Sequence, residues 1–393
     1  MFLSNNKPAQ TYLSYGALAL VGSFLILGYV YLPKGFHASF EAPAAVIKAV
    51  ATTTEAVKPI LIPTHITTPE VVKGIYMTGW VAGTLTARDR VLGLIEDTEI
   101  NTIVIDVKDY TGRISFEVND PYLVKIGSSE KRIRDIREFI DSLHKKNIYV
   151  IGRISSFQDA YFVSIHPEWA VKKKSDGSVW KDHKGISWLD VSAKPVWDYL
   201  VAIAEESYEA GFDELNFDYI RFPSDGNMSD ISFPFSSEIK KSDAVNNFFV
   251  YLRNQLKDKV ISADLFGMTT TSRDDMSIGQ VLENGLANFD YVDPMVYPSH
   301  YPPGFNGYAN PNHFPYEIVK LAMDSAVTRA KMASTTPMKL RPWLQDFNYG
   351  GVYDATAVRK QIQATYDAGL TSWILWSPSN NYTKGALFPQ VAN

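Results

Sequence analysis

Glu214-Leu215-Asn216-Phe217-Asp218-Tyr219-Ile220-Arg221-Phe222-Pro223 reads as a buried strand that leaves the core carrying charge. Leu215, Phe217 and Tyr219 alternate with Asn216, Asp218 and Ile220. That two-residue period makes one parity apolar and sends the other toward the centre of a fold with polar atoms on it. Asp218 and Arg221 stand just before the proline that stops the strand. A buried carboxylate is costly unless it is paired or used, so Asp218 is a candidate for chemistry. The competing reading is a structural carboxylate held by Arg153, Arg221 or Lys108.

On either side of this strand, short apolar runs alternate with amphipathic segments, the pattern of a parallel sheet covered by helices. Eight strands are expected: Gly74–Trp80, Thr102–Asp109, Ile148–Phe157, Glu214–Pro223, Val260–Gly267, Tyr291–Tyr297, Arg341–Phe347 and Ser372–Ser377. Helical patterns over Glu130–Lys146, Pro195–Ala210, Ala244–Lys259, Tyr316–Ala333 and Asp354–Ala368 lie between them, and Asn147, Gly211 and Gly369 supply stop signals for three. This repetition fits a (β/α)8 TIM barrel in the α/β class. A Rossmann fold is disfavoured because no Gly-x-Gly-x-x-Gly follows the first strand. After Ser377 too little chain remains for a full eighth helix.

The 393 residues, 46% hydrophobic and 21% charged, can bury one large core. A net charge of -5 with scattered Lys and Arg gives no basic field, so nucleic acid is not an expected partner. The absence of cysteine excludes disulfides and thiolate chemistry. Pro8–Pro33 holds no charge and is long enough to cross a bilayer as a helix, so residues 12–32 read as a transmembrane anchor behind a short tail, 1–11. A cleaved signal segment with a small-residue site at His37-Ala38-Ser39 is the rival, and a buried soluble helix the bland alternative. Residues 33–72, rich in Ala, Thr and Pro, read as a flexible linker to a domain at 73–393 that lies outside the cytoplasm, membrane-tethered or, after cleavage, secreted.

Barrel enzymes keep their chemistry where strands end, so the inward parity of each run is the place to search. It offers Tyr76, Thr78 and Trp80 on the first strand, Asp106 and Lys108 on the second, and Arg153 on the third. Asn216 and Asp218 follow on the fourth, Asp264 on the fifth, Asp293 and Tyr297 on the sixth, Gln345 on the seventh and Trp376 on the eighth. His300 follows close after the sixth. Paired carboxylates supply a nucleophile and a proton donor for a glycosidic bond, basic groups bind hydroxyls, and aromatic rings cover sugar faces. Asp264, between small residues, is expected as the acid/base partner of Asp218, with Asp293 competing unless Pro294 makes it a turn former. Asp106 and Lys108 read as a pair lining the substrate end, with Arg153, Asn216, Arg221 and Gln345 as further contacts. Tyr297 is either a ligand or a core aromatic, and Trp376 either pocket wall or plug. No cofactor and no metal is expected; the seven scattered His, without a His-x-x-x-His pair, disfavour a metal-dependent deacetylase.

Lys73–Trp80, Asn101–Asp109, Phe217–Pro223 and Pro294-Met295-Val296-Tyr297-Pro298-Ser299-His300-Tyr301 resemble a bacterial family of barrel domains of unknown function catalogued with the glycoside hydrolases. That family is distantly similar to the α-amylase and α-galactosidase groups. The resemblance runs from about Lys73 to about Ser377 and implies a barrel, a carbohydrate substrate and an acid at the end of strand four, here Asp218. In the α-amylase group that aspartate is the nucleophile and has Arg two residues before it. Asn216 stands there in this chain, and strand five carries Asp264 where that group has Glu. A noncatalytic polysaccharide-binding or cell-wall barrel is the alternative from another functional class.

Overall fold

The computed structural model describes residues 62–390. The proposed tail, the anchor and all of the linker before residue 62 lie outside the described residues. Among those described, no helix is long and apolar enough to cross a membrane.

Eight strands close into one parallel barrel: β1 (Lys73–Met77), β2 (Thr102–Lys108), β3 (Tyr149–Ser155), β4 (Glu214–Asp218), β5 (Val260–Phe266), β6 (Tyr291–Met295), β7 (Trp343–Gln345) and β8 (Trp373–Trp376). Each pairs with its chain neighbour, and β1 pairs with β8. Seven strands fall within their expected ranges, and β1 begins one residue early, at Lys73. The ends are shorter because strands stop where the chain turns out into the upper loops. In β4 the stop is local: Tyr219 has φ of 52°, a left-handed conformation unfavourable for a side-chain-bearing residue, so the strand ends at Asp218 rather than Pro223.

Among the described residues, seven helices of seven or more residues follow the strands: α1 (Leu85–Asp97), α2 (Ile136–His144), α3 (Lys194–Ala210), α4 (Lys241–Gln255), α5 (Leu282–Asn288), α6 (Pro315–Met332) and α7 (Ala355–Asp367). Asn147, Gly211 and Gly369 all adopt positive φ just beyond helix ends, the conformation a helix stop requires. After β8 the described chain makes only a turn of 3-10 helix at Lys384–Ala386.

Alternation sorts the side chains into two cores. Ile103, Ile105, Val107, Leu215, Phe217, Ala263 and Leu265 face outward and pack with Leu200, Ile203, Phe248 and Leu252 of the helices. Each such burial contributes about 1.5–3 kcal/mol, so this layer carries most of the apolar stabilisation. Facing inward, a smaller cluster holds Val72, Tyr76, Val104, Tyr149, Ile151, Tyr297, Trp343 and Ile374. The rest of the interior is polar.

Residues 62–72, expected as the end of a flexible linker, lie against the amino-terminal end of the barrel. Ile66 N–H donates to Asp213 at 2.8 Å, Thr68 shares a hydrogen bond with the Tyr149 hydroxyl at 2.9 Å, and Val72 N–H donates to Ser372 Oγ at 2.9 Å. At the opposite end, the long connection after β3 pairs Lys172–Lys173 antiparallel with Ile231–Ser232 of the connection after β4. Two loops that would otherwise move separately are thereby joined over the carboxyl ends of the strands.

Candidate active site

Asp218 is the last residue of β4, and its carboxylate meets Arg153 of β3, the neighbouring strand. Arg153 Nε and Nη2 donate to Asp218 Oδ2 at 3.1 and 2.5 Å, while Nη1 donates to Asp106 Oδ1 at 2.6 Å. One guanidinium thus bridges two carboxylates from β2 and β4. The turned-back Tyr219 N–H donates to Asp218 Oδ1, so the strained residue fixes the carboxylate it follows. Tyr76 of β1 donates its hydroxyl to Asp106 and stacks on Trp376 with ring centroids 4.0 Å apart.

Asp264 of β5 is held differently. Its Oδ1 accepts from Asn216 Nδ2 at 2.9 Å and from Trp343 Nε1 at 2.7 Å, and its Oδ2 lies 3.7 Å from Arg153 Nε. Burial pushes this carboxyl well above its ordinary value, and the charges of Asp218 and Asp293 push the same way. Its surroundings thus favour the protonated form of Asp264 over the charged one. With Oδ1 accepting from two donors, Oδ2, on the Arg153 side, is the oxygen left to carry a proton.

Asp293 lies against Asp264 in register but takes another partner. Arg341 donates to it from Nε at 2.9 Å and Nη2 at 3.1 Å and also grips Glu214, all fully buried. Burial raises Asp293 to about 6, with the Arg341 charge opposing.

A cavity of about 450 Å³ opens at the carboxyl ends of the strands and is walled by Arg153, Asp218, Asp264, Arg221, Tyr297, His300, Trp343 and Trp376, with Lys184 at its edge. A wider groove of about 830 Å³ shares Lys184, His300 and Trp376 with it and runs over Tyr349 and Tyr353. The structure thus brings together eight sequence-nominated groups: Tyr76, Asp106, Arg153, Asp218, Arg221, Asp264, Tyr297 and Trp376, with His300 at the rim. Asn216 is there too, but beneath the cavity as a bridge, donating to Ser262, Asp264 and Asp293. Asp293 stands in the layer below and does not line the cavity.

Three nominees stand elsewhere. Lys108 follows a register shift in β2 and forms a fully buried ion pair with Asp159 at 2.5 Å, so it does not line the substrate end. The first strand stops at Met77, Gly79 begins a helical turn, and Trp80 lies on it, 57% exposed, with Arg132 over its ring. Gln345 faces the expected way but clamps the upper loop, accepting from Ser299 N–H and donating to the Phe347 carbonyl.

Sequence reading passed over Trp343, Arg341 and Glu214. The signal was present: Arg341 and Trp343 share the parity of Gln345, and Glu214 that of Asn216 and Asp218. Lys184 gave no signal, because it stands in a long loop whose path only the fold defines.

Residues 74–382 match the family model described as "Putative glycosyl hydrolase domain". No functionally curated protein matches the chain. Among solved structures, a hypothetical protein from Ruminiclostridium thermocellum ATCC 27405 is 39% identical, covering 48% of this chain and 96% of its own, with a TM-score of 0.45. The PgaB (BpsB) glycoside hydrolase domain from Bordetella bronchiseptica is 13% identical, covers 81% of this chain and 99% of its own, and has a TM-score of 0.58, a likeness in fold. The match takes in all of the barrel's strands but the first residue of β1, together with Asp218 and Asp264, and this chain belongs to the family so described.

Proposed function

We propose that this chain cleaves O-glycosidic bonds of an oligo- or polysaccharide with Asp264 as proton donor and Asp218 as the carboxylate that meets the anomeric carbon. The observation that carries this reading is one guanidinium facing two unlike carboxyls. Asp218 is paired with Arg153, whereas Asp264, 3.7 Å from the same guanidinium, sits in a buried setting that favours its protonated form. Two carboxyls whose environments differ in this way divide acid and nucleophile between them.

Both Oδ2 atoms lie near the same Arg153 Nε, which limits their separation to about 7 Å, mostly below the ~6.5–9.5 Å of inverting enzymes and spanning the ~5 Å of retaining ones. We therefore assign a retaining course. Asp264 protonates the leaving oxygen as Asp218 bonds to the anomeric carbon, and Asp264 then takes a proton from the water that releases the sugar. Trp376 and Tyr297 line the cavity where the sugar ring would sit, and the groove past Trp376 gives room for further sugar units. On the sequence of residues 12–32, the proposal places the barrel outside the cytoplasm, tethered to the membrane.

The test is a screen of the full chain against bacterial surface glycans, with Asp218→Asn and Asp264→Asn as controls and product stereochemistry read by NMR. New reducing ends from the wild type, absent in both variants and appearing first with the starting anomeric configuration, are expected. Full activity in Asp218→Asn would sink the assignment. Binding without cleavage by the wild type would favour a noncatalytic polysaccharide-binding barrel.

A further inference from the structure

We infer that the sugar bound beside Asp218 carries a carboxylate, recognised by Arg221 with Lys184; this rests on the glycosidase reading above and narrows its substrates to acidic glycans. Arg221 lines the cavity yet is only 7% exposed. Its Nη1 donates to the Phe222 carbonyl at 2.9 Å and to Ser224 Oγ at 3.2 Å. Among the described residues, Nε and Nη2 have no acceptor on the protein, and neither is sealed from solvent. The guanidinium is wedged among the rings of Trp188, Tyr219 and Phe266, with centroids 4.9, 5.5 and 4.5 Å away. These rings fix its plane but accept no conventional hydrogen bond. A buried charge left without a counter-charge is costly, so the protein keeps this one for something that arrives.

The nearby acids do not fill the role. Asp218 is taken by Arg153. Asp182 is saturated: Oδ1 accepts from the Lys184 and Ile186 N–H groups, and Oδ2 from Gln158 and Trp188. Asp225 acts on Arg221 only from beyond ion-pairing distance. What remains free is the Nε and Nη2 edge, where a carboxylate docks through two parallel hydrogen bonds. A sugar hydroxyl would bring an acceptor to that edge without the charge.

Lys184 supplies a second cation. It rides on a tight turn held by Asp182 and by Gly185 at φ 78°, and it lines both the cavity and the groove. With Arg153 committed to two carboxylates, Arg221 and Lys184 are the lining cations left to meet an anion.

The test measures binding of the full chain by calorimetry at low and high salt. The probes are oligosaccharides containing glucuronate, galacturonate or N-acetylmuramate, each beside its carboxyl-reduced counterpart. At least one acidic glycan is expected to bind, with carboxyl reduction weakening it about tenfold or more. Arg221→Gln should abolish that preference, weakening binding of the acidic glycan about tenfold more than that of its reduced counterpart. Lys184→Gln, a change on an exposed turn, should cause a smaller loss and flatten the salt dependence. Whether the uronates or the muramates bind separates a ring carboxylate from a lactyl ether. The inference falls if reduced and parent glycans bind alike, if neither variant changes their ratio, or if no acidic glycan binds. Cleavage of neutral glycans that needs Asp218 but not Arg221 would overturn it and leave the glycosidase reading intact. Tight binding of an acidic glycan without cleavage would do the reverse.

Discussion

In the proposed mechanism Asp264 takes an acid's role from its surroundings. Burial and two neighbouring carboxylates hold its proton, while Asn216 and Trp343 occupy the oxygen that does not carry it. Asp264→Asn should lower kcat on a glycan by roughly 10²- to 10⁴-fold, the usual worth of a positioned proton donor, and remove the alkaline limb of the pH profile. A nitrophenyl glycoside, whose leaving group needs no proton, should lose far less. The Asn216 amide donates to the charged form and so lowers the Asp264 pKa. Replacing it in Asn216→Val should move the alkaline limb to higher pH, and a limb that moved down would contradict the geometry. At this scale the sequence revealed the acids, because period-two alternation points them inward. It did not reveal which oxygen is blocked, because that depends on Trp343, two strands away across the barrel.

Elements place these residues through features that alternation does not encode. A register shift between Asp106 and Lys108 leaves the aspartate in the site and sends the lysine to Asp159, so counting by two past it misplaced Lys108. Asp218 is held in place because Tyr219 turns into the left-handed region immediately after it. Between β5 and β6 the decisive feature is a missing side chain. A Cβ on Gly267 would stand 2.3 Å from the Met295 carbonyl oxygen and 2.9 Å from the Tyr301 hydroxyl. Backbone cannot yield cheaply there, so Gly267→Ala should spread the strand ends that carry Asp264 and Tyr297. We expect a loss of about 1–3 kcal/mol in denaturant unfolding, the usual cost of overpacking, together with a fall in kcat. Unchanged unfolding midpoint and kcat would show that the two strands are free to separate.

Across the whole molecule, the polar interior makes a continuous column from the amino-terminal closure to the site: Thr68 to Tyr149, then Glu214, Arg341, Asp293, Asn216 and Asp264. The eight-strand count made the barrel legible from sequence, but this column joins residues as far apart as 68 and 341, and only closure brings them together. Its energetics oppose those of a paired surface acid. Asp106, Asp264 and Asp293 all have raised carboxyls, chiefly through burial, Asp293 to about 6. A raised carboxyl binds its proton more tightly in the folded chain than in the unfolded one, where the reference is 3.8. The stability this gives is complete below that reference and is lost as pH rises through the folded value. The melting temperature should therefore fall by several degrees between pH 5 and pH 8, because each unit of pKa difference is worth about 1.4 kcal/mol. Asp264→Asn keeps the shape but needs no proton, so its melting curve should depend less on pH and cross above that of the wild type at the alkaline end. A wild-type melting temperature that climbs steadily from pH 5 to pH 8 would mean these carboxyls are ionised in the folded barrel, and Asp264 would then have no proton to give.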